Sequence, residues 1–291
     1  MSAYPVRLYH FIKLLPAVLA AFVIICGAPQ VQAQGTEFRQ AVAQAASGDA
    51  DLLTFYRERG FDGIWSKSGD RNRRTALMEA FNDAPSHGLP DGRYDVDGLI
   101  AQLQAASSAQ EQGRLEVELS RQFLTYARDI QTGLLTPERI DPAIHRQVPL
   151  RSRLGTMRAF AQSNPAAFMR ALPPSAPEYN RLMAEKMRME RLIGNGGWGQ
   201  TVPGRKYESG DSGAGVEALR NRLMAMGFLE RTNTQTYDDT IYGAVTRFQQ
   251  AHGLAIDGTA GPGTLEQLNV QPEARLRAII VAMERERWIN R

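Results

Sequence analysis

Apolar positions along most of this chain recur at three- and four-residue steps, the spacing of one face of a helix. The longest such stripe is Leu115, Leu119, Phe123, Tyr126 and Ile130, which predicts a helix over Gly113 to Thr132, ended by Gly133. A second stretch, Pro177 to Ile193, places Tyr179, Leu182, Met183 and Met187 on one face. Shorter patterns predict helices over Phe38 to Ala46, Asp51 to Arg59, Thr75 to Ala84 and Asn164 to Ala171. Between them lie His87-Gly88-Leu89-Pro90 and Leu172-Pro173-Pro174, where proline removes an amide donor and restricts its neighbour. The fold class expected is mainly α: a helical scaffold domain followed by a small three-helix domain.

The Gly-rich run Gly194 to Gly199 and the polar run Glu208 to Gly215 read as a boundary, with the junction close to Pro203. Beyond it the pattern sharpens. Val216, Leu219, Leu223 and Met226 form one helical stripe that Gly227 stops, and Phe228-Leu229 folds back over its end. Residues Asp238 to Thr240 cap a second helix lined by Ile241, Ala244, Val245 and Phe248 and ended by Gly253. Asp257-Gly258 makes a tight turn, and Gly261-Pro262 starts a third helix with Leu265 and Leu268 facing inward. The predicted unit, Gly213 to Asn269, is close to the lower size limit for a domain that folds without staples.

The N-terminus has a different pattern. Arg7, His10 and Lys13 precede an apolar run from Leu14 to Cys26, interrupted only by Pro16. That is too short to span a bilayer, which takes roughly 20 apolar residues, and it has the form of a secretory signal. Cleavage is expected after Ala33, in Val31-Gln32-Ala33, so residues 1–33 are a signal peptide and the exported chain starts at Gln34. An uncleaved anchor is the alternative. A lipid-modified Cys26 is disfavoured by Ile24 and Ile25 before it.

Composition then narrows the chemistry. Cys26 is the only cysteine, so a cleaved chain has no disulfide, thiolate metal site or cysteine nucleophile. The formal charge of +3 falls by two with Arg7 and Lys13, which gives no electrostatic case for nucleic acid as a partner. His87, His145 and His252 lack zinc-ligand spacing, and His252 reads as a capping or surface residue, so no metal and no cofactor is expected. A through-space carboxylate pair stays open, although no acid stands in a context that suggests a raised pKa. The aromatic cluster from Phe55 to Trp65 reads as core in Phe55, Phe61 and Trp65 rather than as a sugar-stacking platform. The arginines at 71, 73 and 74, and those from Arg181 to Arg191 with Glu185 and Glu190, read as solvated helix faces with ion pairs.

The string Val216, Leu219, Leu223, Gly227, Ala244, Val245, Phe248, Gln249, Gly253, Leu254, Asp257, Gly258, Gly261, Thr264, Leu268 resembles the peptidoglycan-binding domain of bacterial wall hydrolases and transpeptidases. Upstream, Phe55 to Trp65, His87 to Pro90, Tyr126-Ala127-Arg128-Asp129 with Gly133, Pro174, Tyr179, Leu182 and Gly197-Trp198 look like the scaffold region of large periplasmic L,D-transpeptidases. The closing segment, Arg275 through Trp288, is similar to the helix that leads into their catalytic domain. The domains expected are thus a scaffold over 34–203, a peptidoglycan-binding domain over 204–270 and a lead-in helix over 271–291.

The resemblance implies peptidoglycan as the partner, together with other wall-synthesis proteins, a periplasmic or cell-envelope location, and membrane contact only through an uncleaved signal. It also implies what is missing, since those enzymes use a Ser-His-Gly-Cys type nucleophile on a further domain. The function expected is a non-catalytic wall-binding protein; the alternatives are the N-terminal part of a shortened transpeptidase and a protein-protein scaffold. No catalytic residue is assigned. Most motif positions in the module are fold-makers, so ligand contacts are sought among polar and aromatic groups at helix ends and turns: Tyr237, Tyr242, Arg247, Gln249 and Asp257. Asp257 has the alternative role of fixing its turn.

Overall fold

A computed structural model describes residues 28–289, with side chains from residue 34 onward. The signal segment before residue 28 lies outside the described residues; the expected cleavage tripeptide falls within the first helix. Thirteen α-helices follow one another among the described residues: α1 (Ala28–Ala46), α2 (Ala50–Glu58), α3 (Arg71–Asp83), α4 (Val96–Ala105), α5 (Ala109–Thr132), α6 (Pro137–Ile140), α7 (Arg153–Gln162), α8 (Pro165–Arg170), α9 (Pro177–Gly194), α10 (Ala214–Ala225), α11 (Asp239–Ala251), α12 (Pro262–Asn269) and α13 (Pro272–Ile289). No strand occurs among them. Two isolated antiparallel bridges, Tyr207 with Ala260 and Ser212 with Thr236, tie loops together. None of the described helices is long and apolar enough to cross a membrane.

The chain divides into two compact units, residues 28–71 with 97–121 and residues 72–96 with 122–289. In the first unit, Asp49 caps α2 by accepting from the Leu52 amide at 3.2 Å, and the helix buries Leu52, Phe55 and Tyr56. The core reading of the aromatic cluster holds for Phe55 and Trp65, both fully buried, whereas Phe61 is half-buried with a left-handed φ of 61°.

The unit closes on a carboxylate. Glu116 of α5 is wholly buried and accepts from the amides of Ile64 (2.6 Å), Trp65 (3.0 Å) and Ser66 (3.0 Å), the Ser66 hydroxyl (2.8 Å) and the Tyr56 hydroxyl (3.0 Å). Ser120, one turn on, accepts from the Trp65 indole at 2.8 Å and meets the Tyr56 hydroxyl at 2.7 Å. A side chain on Gly63 would collide with Glu116. Burial pushes the Glu116 carboxyl up while the surrounding donors pull it down. This corrects the expectation that no acid has a context for a raised pKa. Glu116 lies between Leu115 and Val117 on a helix, and only the folded chain reveals the ring of donors around it.

In the second unit, Phe81 stacks on Tyr94 (centroids 4.7 Å apart) and Phe123 on Phe160 (4.4 Å). Asp129, also buried, accepts from Arg93 Nε at 2.6 Å and the Tyr94 hydroxyl at 2.9 Å. The closing helix α13 packs along α9. Its Arg287 is buried, bonds Glu284 at 3.0 Å and the Tyr179 hydroxyl at 3.1 Å, and donates to the His87 carbonyl. Glu284 in turn accepts from the Leu135 amide at 2.8 Å and the Trp288 indole at 3.2 Å. Gly133, at φ 85°, is required here, because a Cβ would strike the Glu284 carboxylate and the Trp288 indole.

Element boundaries differ from the sequence pattern at identifiable places. Helix α5 begins at Ala109 rather than Gly113 because Ser108 and Glu111 form a reciprocal cap, with Ser108 Oγ accepting from the Glu111 amide and the Glu111 carboxylate accepting from the Ser107 and Ser108 amides. Those amides hold the Glu111 carboxyl down at about 2. Helices α4 and α7 were not expected, their apolar stripes being short; Ser152 caps α7 by accepting from the Gly155 amide. In the charged stretch of α9, Arg188 pairs with Glu185 at 2.7 Å on the surface as expected, but Lys186 is buried and reaches Glu190 at 2.6 Å.

Candidate functional site

Three helices of the second unit, α10, α11 and α12, enclose one apolar core: Val216, Leu219 and Leu223 from α10, Ile241, Ala244, Val245 and Phe248 from α11, and Leu265 and Leu268 from α12. Gly227 stops α10 at φ 80°, after which Leu229 turns back into the core. Asp238 caps α11, accepting from the Thr240 amide (3.0 Å), the Ile241 amide (3.1 Å) and the Thr240 hydroxyl (2.6 Å). These bonds, the Thr240 side chain's foremost, lower the Asp238 pKa. His252 ends the same helix by bonding the Phe248 carbonyl through Nδ1 at 2.8 Å, a capping role as expected.

The five residues predicted as ligand contacts fall into two places. Four of them gather around the turn from Asp257 to Thr259. Gln249 is 1 % exposed: its amide nitrogen reaches Asp257 (2.8 Å), the Thr259 carbonyl (2.9 Å) and Thr264 (3.1 Å), and its oxygen accepts from the Gly258 amide at 3.0 Å. Tyr237 is equally buried and donates its hydroxyl to the Gly258 carbonyl at 2.7 Å. Burial, with the Asp257 charge second, raises its pKa. Asp257 accepts from the Thr259 amide at 2.8 Å; that bond and Gln249 lower its carboxyl pKa. Gly258 sits at φ 66°, and its missing side chain leaves room for the ring of Tyr242, which lies against it and is 43 % exposed. Gln249, Tyr237 and Asp257 therefore fix a turn on which Tyr242 presents an open aromatic face.

Arg247 stands elsewhere. It donates to the Phe228 carbonyl at 2.8 Å and lines an open groove of about 650 Å³ between the loop after α10 and the first turns of α11. The groove also holds Glu230, Arg231, Thr232, Asp239, Thr240 and Gly243. Sequence reasoning missed these residues. Their only signal was Gly243, a glycine in a helix interior four residues before Arg247, where a Cβ would meet the Arg247 guanidinium at 3.4 Å. Carboxylates, guanidinium groups and hydroxyls line it together, a donor and acceptor set suited to a ligand rich in hydroxyls and amides.

Arg222 was also missed. Its side chain is buried, and its three nitrogens donate to the carbonyls of Leu268 (2.8 Å), Gly199 (3.1 Å) and Val270 (3.1 Å), while the guanidinium lies 5.3 Å from the centre of the Trp198 ring. It thereby fastens the chain entering the three-helix module and the chain leaving it to α10.

Residues 212–268, the span of this module, match the family model of the peptidoglycan binding domain. The chain carries a peptidoglycan-binding domain. Ahead of it, residues 50–185 match the family model called the Scaffold domain, so the two domains follow in the order that the sequence resemblance implied. No curated protein matches the chain. Peptidoglycan is thereby supported as a partner, and the cell envelope as its location.

Proposed function

We propose that this is an exported envelope protein that holds peptidoglycan through its α10–α12 module, carried on a scaffold related to that of L,D-transpeptidases. The observation that carries the reading is the match of residues 212–268 to the peptidoglycan binding domain, on a module whose core, caps and turns are all in place. In this reading the polymer contacts two surfaces: the groove of Arg231, Thr232 and Arg247, and the exposed ring of Tyr242. Guanidinium donors suit the carboxylates and amide oxygens of the peptide stems, and an aromatic face suits the apolar side of a sugar ring. Tyr237, Gln249 and Asp257 serve the second surface by holding the turn beneath Tyr242.

The protein works by binding, with no covalent step of its own in this reading. The sole cysteine, Cys26, lies in the expected signal, and that signal accounts for export. The match of residues 50–185 to the Scaffold domain, together with the sequence resemblance, supports the reading of kinship with wall cross-linking enzymes.

Hydrogen exchange in the presence of soluble, enzymatically released wall fragments tests the reading. Slowed exchange is expected in residues 227–247, where the groove lies, and around Gly258. Exchange unchanged throughout residues 212–268 at saturating fragment would overturn it.

A further inference from the structure

A second cleft, in the scaffold part of the same unit, is built for a different kind of contact. It encloses about 630 Å³ between α3, the turn after it, α8 and α9. Glu79 and Asp83, one helical turn apart on α3, line it with exposed carboxylates; Arg170 at the end of α8 lines it with an exposed guanidinium. Neither Glu79 nor Arg170 has an ion-pair partner among the described residues. Met169 and Met183 provide apolar wall, and Asn180 adds an amide.

The floor is a hydrogen-bonded relay that directs one of these charges. Arg287 donates to the Tyr179 hydroxyl oxygen at 3.1 Å, and that oxygen is 3.1 Å from His87 Nδ1. The set closes when the Tyr179 hydroxyl donates its hydrogen bond to Nδ1, which places the one ring proton of a neutral His87 on Nε2. Nε2 faces Asp83 Oδ2 at 3.5 Å. The buried relay thus steadies Asp83 at the edge of the cleft without neutralising it.

We infer that this cleft binds a peptide segment that carries both a free amine and a free carboxylate, the amine between Glu79 and Asp83 and the carboxylate at Arg170. Two carboxylates match one ammonium, a guanidinium matches one carboxylate, and the methionines cover the alkyl chain that joins them. The choice of a stem-like peptide as the ligand rests on the wall-binding reading; the charge pattern of the cleft does not.

The test uses the chain from Gln34 with ¹³C-methyl methionine and the probe lysyl-D-alanine, followed by NMR. Met169 and Met183 report on the cleft, whereas Met224 and Met226, packed against the module core, report on the module. The expected result is a saturable shift of the Met169 and Met183 signals. Glu79→Gln with Asp83→Asn should weaken it by about ten-fold, and acetylating the probe's amines should abolish it. Both substituted side chains are exposed, so the melting temperature should stay within a few degrees of the parent. No shift at Met169 and Met183 with millimolar probe, shifts confined to Met224 and Met226, or binding indifferent to the double substitution would each overturn the inference. Sedimentation with intact wall reads the module independently, so the cleft can fail while the wall-binding reading stands.

Discussion

The scaffold and the three-helix module differ in the polar groups they bury: among the described residues, carboxylates are enclosed in the first and none is buried in the second. The scaffold encloses Glu116 in a ring of amide and hydroxyl donors and Asp129 beneath Arg93 and Tyr94; Glu284 of the closing helix α13 is held in the same way by the Leu135 amide and Arg287. The module keeps its core apolar and buries a neutral amide, Gln249, bonded to backbone and side chains around one turn, and a guanidinium, Arg222, spent on three backbone carbonyls. A buried carboxylate gathers segments distant in sequence, at a large penalty if one partner is lost. The module of local helices and glycine turns fixes its turns at short range, through Gln249 and the caps, and fastens its two ends through the clamp of Arg222. The difference teaches where each part is fragile.

The largest effect should come from breaking the Glu116 ring. Glu116→Leu strips the amides of Ile64, Trp65 and Ser66 of their acceptor, and should cost about 4 kcal/mol in urea unfolding followed by tryptophan fluorescence. A cost below about 1 kcal/mol would mean that the ring is incidental. In the module, Arg222→Met keeps most of the volume but leaves three carbonyls without a donor, and should cost about 2–3 kcal/mol by the same measurement. A larger loss than for Glu116→Leu would reverse the contrast between the two parts.

Gly258→Ala should cost about 1–2 kcal/mol, because φ is 66° and the new methyl meets the Tyr242 ring. It should also weaken wall binding, since the displaced ring is one of the proposed contacts; a stable variant with unchanged Tyr242 fluorescence anisotropy would contradict that placement. The smallest effect concerns His87. Burial pushes its imidazole pKa below the ordinary value, against the pull of Asp83. The unfolded chain then binds more protons, so this contribution is complete above about pH 6.5 and is lost as pH falls through and below that value. Thermal melts from pH 7.5 to 5 should show the loss in the parent and a shallower slope in His87→Gln; equal slopes would remove His87 as the cause.

The same contrast explains what could be read from the sequence. In the module, Gly227, Asp238, Gly253, Gly258 and Pro262 each mark a boundary by local chemistry, and the structure places caps and turns at those residues. The stripe of α5 was equally plain, and its true start was legible too in Ser108-Ala109-Gln110-Glu111, a reciprocal cap written in four residues. Glu116, Arg222 and Lys186 were not legible. Each is a charged residue at a helix position that pattern reading assigns to solvent, and each is buried because its partners arrive from elsewhere or from the next turn. The candidate contacts fared between these extremes. Polar groups at turns were the right kind of residue to seek, but sequence could not separate Gln249 and Tyr237, whose polar atoms are turned inward to a turn, from Tyr242 and Arg247, which face outward. Nor could it bring Arg231 and Thr232 to the side of Arg247, since the fold-back of Phe228-Leu229 sets that geometry.

The most direct test of the central claim is sedimentation of the purified chain from Gln34 with insoluble wall sacculi. The account predicts that the protein moves to the pellet in a saturable manner and that Arg231→Glu with Arg247→Glu returns most of it to solution. Protein left wholly in the supernatant at every sacculus concentration would contradict it.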